Sequence, residues 1–119
     1  MAYQKLTSKS FFGKDTNRKF IQEYFGLSTQ DENLSLALMT AVPGWKECFQ
    51  IAEFDEYIYV ISGQLCVQTT NKMHLVDSGQ AIKVSKGERV QFSTNMEPAV
   101  YLAICTPAFQ EHLVKRDEK

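Results

Sequence analysis

No stretch of this chain carries an apolar pattern long enough to make a helix that could cross between strands. Short runs of β-branched and aromatic residues follow one another instead, divided by turn residues. The run Tyr57-Ile58-Tyr59-Val60-Ile61 is wholly aromatic or β-branched, the composition of a pleated strand covered on both faces. Residues 89–94 alternate, with Val90 and Phe92 on one side, as a half-buried strand does. Further strands are expected at 18–25, 35–41, 46–52, 64–70, 73–77, 80–84 and 99–105. Between them fall Pro43-Gly44, Ser62-Gly63, Asn71-Lys72, Asp77-Ser78-Gly79, Lys86-Gly87 and Glu97-Pro98. Short strands at near-regular spacing predict an all-β sandwich or barrel and exclude a doubly wound α/β fold.

Two segments read less simply. Residues 13–25 fit a short helix with Phe20, Tyr24 and Phe25 on one face, but the β-branched and aromatic content of 18–25, ending at Gly26, favours a strand. Residues 27–34 read as a polar connection, and the charged segment 110–119 as a fraying tail. With 119 residues and 44% hydrophobic content, the chain is expected to form one domain: an extension over 1–33, a barrel core over about 34–107, and the tail.

Charge narrows the functions. Thirteen Lys and Arg against 14 Asp and Glu leave a net charge of −1, with no basic excess for nucleic acid and no polybasic face for a membrane. The first ten residues lack the apolar block of a secretion signal, and no apolar run approaches the ~18 residues of a bilayer span. Cys48, Cys66 and Cys105 form no CxxC pair and read as free thiols of a cytoplasmic protein.

The glycine spacing is more specific. Cupins carry the motifs G-x5-H-x-H-x3-E-x6-G and G-x5-P-x-G-x2-H-x3-N. Gly44, Glu56 and Gly63 match the first motif and Gly79 and Gly87 the second, with 15 residues, Gln64 to Ser78, between the motifs. Over about residues 17–109 the chain therefore resembles the cupins, which implies a double-stranded jelly-roll barrel. Among them it is most similar to the stand-alone relatives of the ethanolamine-utilisation protein Q group. Phe54-Asp55-Glu56, Val60-Ile61-Ser62-Gly63-Gln64-Leu65, Ser85-Lys86-Gly87-Glu88-Arg89-Val90 and Cys105-Thr106-Pro107-Ala108-Phe109 carry that likeness. An acetate kinase activity is ascribed to the ethanolamine protein, but this chain has no Gly-rich phosphate loop of the G-x4-G-K-[ST] type, and that activity is not carried over.

The departures from the motifs bear on function. Gln50 and Ala52 stand where the resemblance places the first two histidine ligands, Val90 where it places the third, and Ser85 and Thr94 where it places the proline and asparagine. Amide oxygens serve borderline divalent ions poorly and methyl groups do not coordinate, so neither a metal nor another cofactor is expected. Glu56 alone of the ligand set remains. The resemblance turns it into the barrel, where desolvation would raise its pKa toward the range of a general acid or base. Its structural alternative is a glutamate bonded to backbone donors or to Lys46.

On strand parity Lys46, Cys48 and Gln50 form a row with Glu56, and Val90 and Phe92 add apolar lining, making these six the candidate ligand-binding set. Cys48 beside Lys46 has the makings of an activated nucleophile, although inert packing is the commoner fate of such a thiol. Trp45 fits a ligand stack, core packing or a dimer contact, and His74 and His112 fit surface or interface positions better than ligand positions. Arg89 and Gln91 read as solvated. Tyr57, Tyr59 and Ile61, opposite in parity to Glu56, would form an exposed apolar face that a homodimer covers.

Three functions follow. The first is a cupin binding a small polar metabolite, with or without metal-independent catalysis, through an amine or hydroxyl facing Glu56. The second is a dimeric accessory or scaffold protein whose interior is closed by Phe49, Phe92 and Leu102. The third, a metal enzyme with unusual ligands such as Glu53, Glu56 and His74, has the least support. Whether the chain is an enzyme is left open.

Overall fold

The computed structural model describes residues 1–13 and 17–117, so residues 14–16 of the ambiguous N-terminal segment and the last two of the expected tail lie outside the described residues. Ten strands run in the order β1 (Lys9–Phe12), β2 (Lys19–Phe25), β3 (Ser35–Ala41), β4 (Gln50–Ala52), β5 (Asp55–Thr69), β6 (Met73–Asp77), β7 (Ala81–Val84), β8 (Arg89–Ser93), β9 (Ala99–Thr106) and β10 (Val114–Arg116). Every pairing is antiparallel, in the spatial order β1-β2-β3-β9-β5-β8-β4-β10, with β6 and β7 also on β5. The fold is an all-β cupin barrel. Two 3-10 turns, Leu27–Thr29 and Glu111–Leu113, are the helical elements among the described residues, and none of these is long and apolar enough to cross a membrane.

The 15-residue β5 holds the barrel together. The expected strands 57–61 and 64–70 are one strand, and Ser62-Gly63 is a bend within it rather than a chain reversal. Its first half pairs with β9 and β7, its second with β6 and β8. The β5–β9 register slips between Val60 and Ser62, which lets the strand pass from one sheet to the other. The expectation that 57–61 is covered on both faces is corrected within the chain. Ile58 and Val60 are buried, whereas Tyr57, Tyr59 and Ile61 stand between 42% and 47% exposed.

Three further expectations are corrected. The strand proposed at 46–52 is regular only over Gln50–Ala52, with Lys46 making an isolated bridge to Ser93. The segment before it pairs irregularly with the end of β8, Glu47 N–H donating to Phe92 O (3.2 Å) and Thr94 N–H to Trp45 O (2.8 Å). Side chains reinforce it: the Thr94 hydroxyl accepts from Trp45 N (2.9 Å) and donates to Val42 O (2.6 Å), while Gln91 Nε2 donates to Glu47 O (2.9 Å). Gln91 is therefore a structural donor rather than a solvated one. The tail does not simply fray, because β10 pairs with β4, Arg116 pairs with Glu111, and Arg89 pairs with Asp117 and lies 4.0 Å from the Phe49 ring centre. β1, a strand the turn and period signals did not mark, extends the sheet beyond β2.

The core gathers Trp45, Ile58, Val60, Leu65, Val67, Val76, Val84, Val90, Phe92, Tyr101 and neighbouring alanines. It fills only part of the barrel. Trp45, Phe92, Tyr101 and Ala103 belong to the core and also face a cavity, so they form its floor.

Candidate functional site

The cavity measures about 420 Å³ and reaches the surface past the exposed Phe11, Phe12 and Lys46. Alternation builds its walls: Lys19, Ile21 and Glu23 come from β2, Ser35, Ala37 and Met39 from β3, Tyr101, Ala103 and Cys105 from β9, and Glu56 from β5. The anchored segment before β4 adds Trp45 and Glu47, and β1 and the C-terminal segment supply the rim through Phe11, Phe12, Glu111 and Arg116.

Of the six candidate residues, Lys46, Cys48, Gln50, Glu56 and Phe92 face this cavity. Val90 does not; it is 2% exposed within the core, opposite Gln50 in the β4–β8 register. The expected Lys-Cys-Gln-Glu row lines the cavity, and a second polar set joins it; Glu47, of the opposite parity, also faces inward, because residues 46–49 are not a regular strand. Lys46 sits exposed at the rim. The ammonium that faces Glu56 and Glu47 belongs to Lys19, in the segment read as an N-terminal extension. Its Nζ lies 3.3 Å from Glu47 Oε2 and 4.9 Å from the Trp45 ring centre. Trp45 is thus both core and cavity floor.

Electrostatics follow from enclosure. Burial pushes Glu56 up to about 7, Lys19 pulls part of that rise back, and Glu47 adds to it. Burial works against the Lys19 ammonium, yet the Glu47 carboxylate, with Tyr101 and Glu56, outweighs it and holds Lys19 above its ordinary value. Burial likewise raises the Tyr101 phenol, which Lys19 opposes, and the Cys105 thiol. At neutral pH the set is therefore an ammonium, a carboxylate, a neutral phenol, a neutral thiol and a glutamate near its midpoint. One buried acceptor, Glu47 Oε1, has no hydrogen-bond partner.

Lys19, Glu47, Tyr101 and Cys105 were not singled out from the sequence. Tyr101 and Cys105 were accessible to it, since both lie on one parity of the 99–105 strand, but nothing local marks that parity as the inner one. The nucleophile reading gains no support, because Cys48 has no histidine neighbour in the lining and Cys105 is held protonated.

The residues present do not fit the metal of the histidine-bearing cupins. Gln50 offers one amide at the cavity, Val90 none, and among the described residues no group of three or more His, Cys, Asp or Glu side chains converges on a point. Glu53 and His74 are absent from the lining that contains Glu56.

Comparison with known proteins is consistent with this geometry. The sequence profile of the family described as "Ethanolamine utilisation protein EutQ" matches residues 8–111. The chain belongs to the EutQ family. A curated protein of Myxococcus xanthus (strain DK1622) described as "Endoribonuclease YbeY" is 34% identical over 97 residues, which is 80% of this chain and 33% of that protein. The chain thus spans about a third of that relative. Among solved structures, the Clostridium difficile EutQ protein is similar at a TM-score of 0.66 and 24% identity, covering 76% of this chain and 63% of that one. The polyketide cyclase RemF from Streptomyces resistomycificus reaches a TM-score of 0.80 at 14% identity, covering 100% and 86%. At these identities the two structures speak for the cupin fold.

Proposed function

We propose that this EutQ-family chain binds a small polar metabolite inside its barrel, without a transition metal, in the cytosol. The observation that carries the reading is the cavity of about 420 Å³ with Glu56, Glu47, Lys19 and Tyr101 converging inside it. Its size is that of a small-molecule site: apolar walls with a few placed polar groups. The closed interior required by a pure scaffold is not what these side chains make. Phe92 floors the cavity, Phe49 carries Arg89, and Leu102 lies opposite Tyr59 on the outer face. The same groups suit metal-independent proton transfer. Glu56, near its midpoint, takes or gives a proton, while the Tyr101 hydroxyl and the Lys19 ammonium donate hydrogen bonds to oxygen on the substrate.

A thermal-shift screen of metabolites on wild type and Glu56→Gln tests this. Compounds that bind through the carboxylate should lose about tenfold or more in affinity in the variant, the range for hydrogen bonds to charged groups. Identical stabilisation of both proteins by every hit would remove Glu56 from the recognition role.

The second element of the proposal is a homodimer. Tyr57 and Tyr59 on β5 pair with Ile104 and Leu102 on β9, which pair in turn with Leu36 and Leu38 on β3, giving an apolar stripe across three adjacent strands. A second copy suits it, because the stripe is apolar apart from the Lys83 ammonium over the Tyr57 ring at its β7 edge, and an apolar stripe meets itself across a two-fold axis. Light scattering at micromolar concentration should return twice the 13.6 kDa chain mass. Tyr59→Glu should weaken association at least about tenfold by burying an unpaired charge. A monomeric wild type would refute this element.

A further inference from the structure

We infer that the cavity takes a small organic monocation, its ammonium group held between Glu47 and Glu56 and its apolar body among Trp45, Phe54 and Phe92. This rests on the ligand-binding reading above and adds the chemical class of the ligand.

The argument is a charge balance. Four carboxylates line the cavity: Glu23, Glu47, Glu56 and Glu111. Glu111 is paired with Arg116. Glu23 Oε1 is turned toward Ser28, accepting from its hydroxyl at 2.6 Å and its backbone N–H at 3.3 Å. Lys19 is committed to Glu47 Oε2 and to the face of Trp45. Lys46 stands exposed at the rim, so among the described residues Glu56 has only a share of Lys19 inside the cavity, and Glu47 Oε1 has no donor. An ammonium head brings three donors and one positive charge, which match these two vacant acceptor sites. The aromatic floor is favourable to the same charge. A carboxylate ligand would have to take Lys19 from Glu47 and leave two half-buried glutamates facing it. A neutral ligand would leave Glu56 to share Lys19 with Glu47 or to take up a proton.

The same groups define a proton linkage. Lys19 from β2, Glu47 from the segment before β4, and Tyr101 and Cys105 from β9 surround Glu56, while β3 and β7 bring the uncharged Ser35 and Val84. Tyr101 and Cys105 stay protonated and Lys19 stays charged near neutrality, so Glu56 is the member of this set that changes charge there. A bound cation favours the ionised form, so its binding below about pH 7 releases a proton from Glu56.

Benzylamine (protonated throughout this range), benzyl alcohol and benzoate share a shape and differ in charge. Calorimetry with these three probes should find benzylammonium bound about tenfold or more tighter than the other two at about pH 8, weakening up to about tenfold per pH unit below about 7. The double variant Glu47→Gln/Glu56→Gln leaves the charge of Lys19 and should invert the preference toward benzoate. The wild-type pH profile keeps the test decisive should that variant fold poorly. Ala37→Phe, which fills the cavity from β3, should abolish binding of the favoured probe.

Benzyl alcohol or benzoate bound to wild type as tightly as benzylammonium, and still expelled by Ala37→Phe, would overturn the monocation and leave the cavity reading standing. A benzylammonium affinity that does not change with pH would do the same. Binding indifferent to Ala37→Phe, or no binding of any probe, would overturn both.

Discussion

Gly63→Ala should destabilise the protein by at least about 3 kcal/mol in urea unfolding, enough to remove a large part of an ordinary domain's stability. Gly63 has φ +78°, and a Cβ there would stand 1.8 Å from the carbonyl oxygen of Pro98 and 2.9 Å from its carbon. Both atoms are backbone, and the next residue, Ala99, is the register partner of Gly63, so relief requires parting β5 from β9. Gly79→Ala separates conformation from contact. Its φ of +83° is nearly the same, yet nothing lies within 4 Å of the added methyl. That variant should lose only about 1–2 kcal/mol, the left-handed penalty of an L-residue. Equal losses at the two positions would show that the β5–β9 approach is looser than described here.

Glu56→Gln should be more stable than wild type at about pH 8, by about 2 kcal/mol, and the difference should vanish by about pH 4. The sign follows from proton binding. Unfolded, Glu56 titrates near its ordinary 4.5; folded, near 7. Between these values the folded state holds a proton that the unfolded state has lost, so wild-type stability falls as pH rises through this window. The full shift is an upper limit, because the cavity admits water to the carboxylate, and about 2 kcal/mol allows for that screening. Glutamine has no charge to desolvate and its variant should lack this slope. Parallel pH profiles for the two proteins, from chemical denaturation between about pH 4 and 8, would place Glu56 in a hydrated position.

The fold was legible where two local signals agreed. β2, β3, β6, β7, β8 and β9 each combine β-branched or aromatic content with bracketing turn residues, and their boundaries lie within a residue or two of the expected ones. β1 and β10 were not legible. Lys-Ser-Phe-Phe and Val-Lys-Arg are too short to show a period, and they become strands because β2 and β4 present unpaired edges to them. The single strand β5 was read as two because Ser-Gly is also turn chemistry. Only the partner strands decide that Gly63 bends the chain instead of reversing it.

The site was legible at Glu56, through the cupin glycine register, and at Gln50 and Phe92, through alternation. It was not legible at Lys19, which meets Glu47 from 28 residues away in the sequence. A contact of that range has no local signature. Nor was the inward turn of Glu47, in an irregular segment held to Phe92 by its backbone N–H and to the Gln91 side chain by its carbonyl.

Much of the rim of the cavity comes from β1 and β10, at the two ends of the strand order, and the floor from the middle of the sheet, and this division bears on how such a protein can change its ligand. Phe11, Phe12 and Arg116 sit on strands that each have one neighbour, so replacing them disturbs little of the fold. Trp45, Phe92, Tyr101 and Ala103 are shared with the core, so replacing them alters fold and cavity together. Selection on ligand size can therefore act at the rim while the aromatic floor persists, and lineages sharing this barrel can diverge in what they admit before they diverge in the surface it rests on.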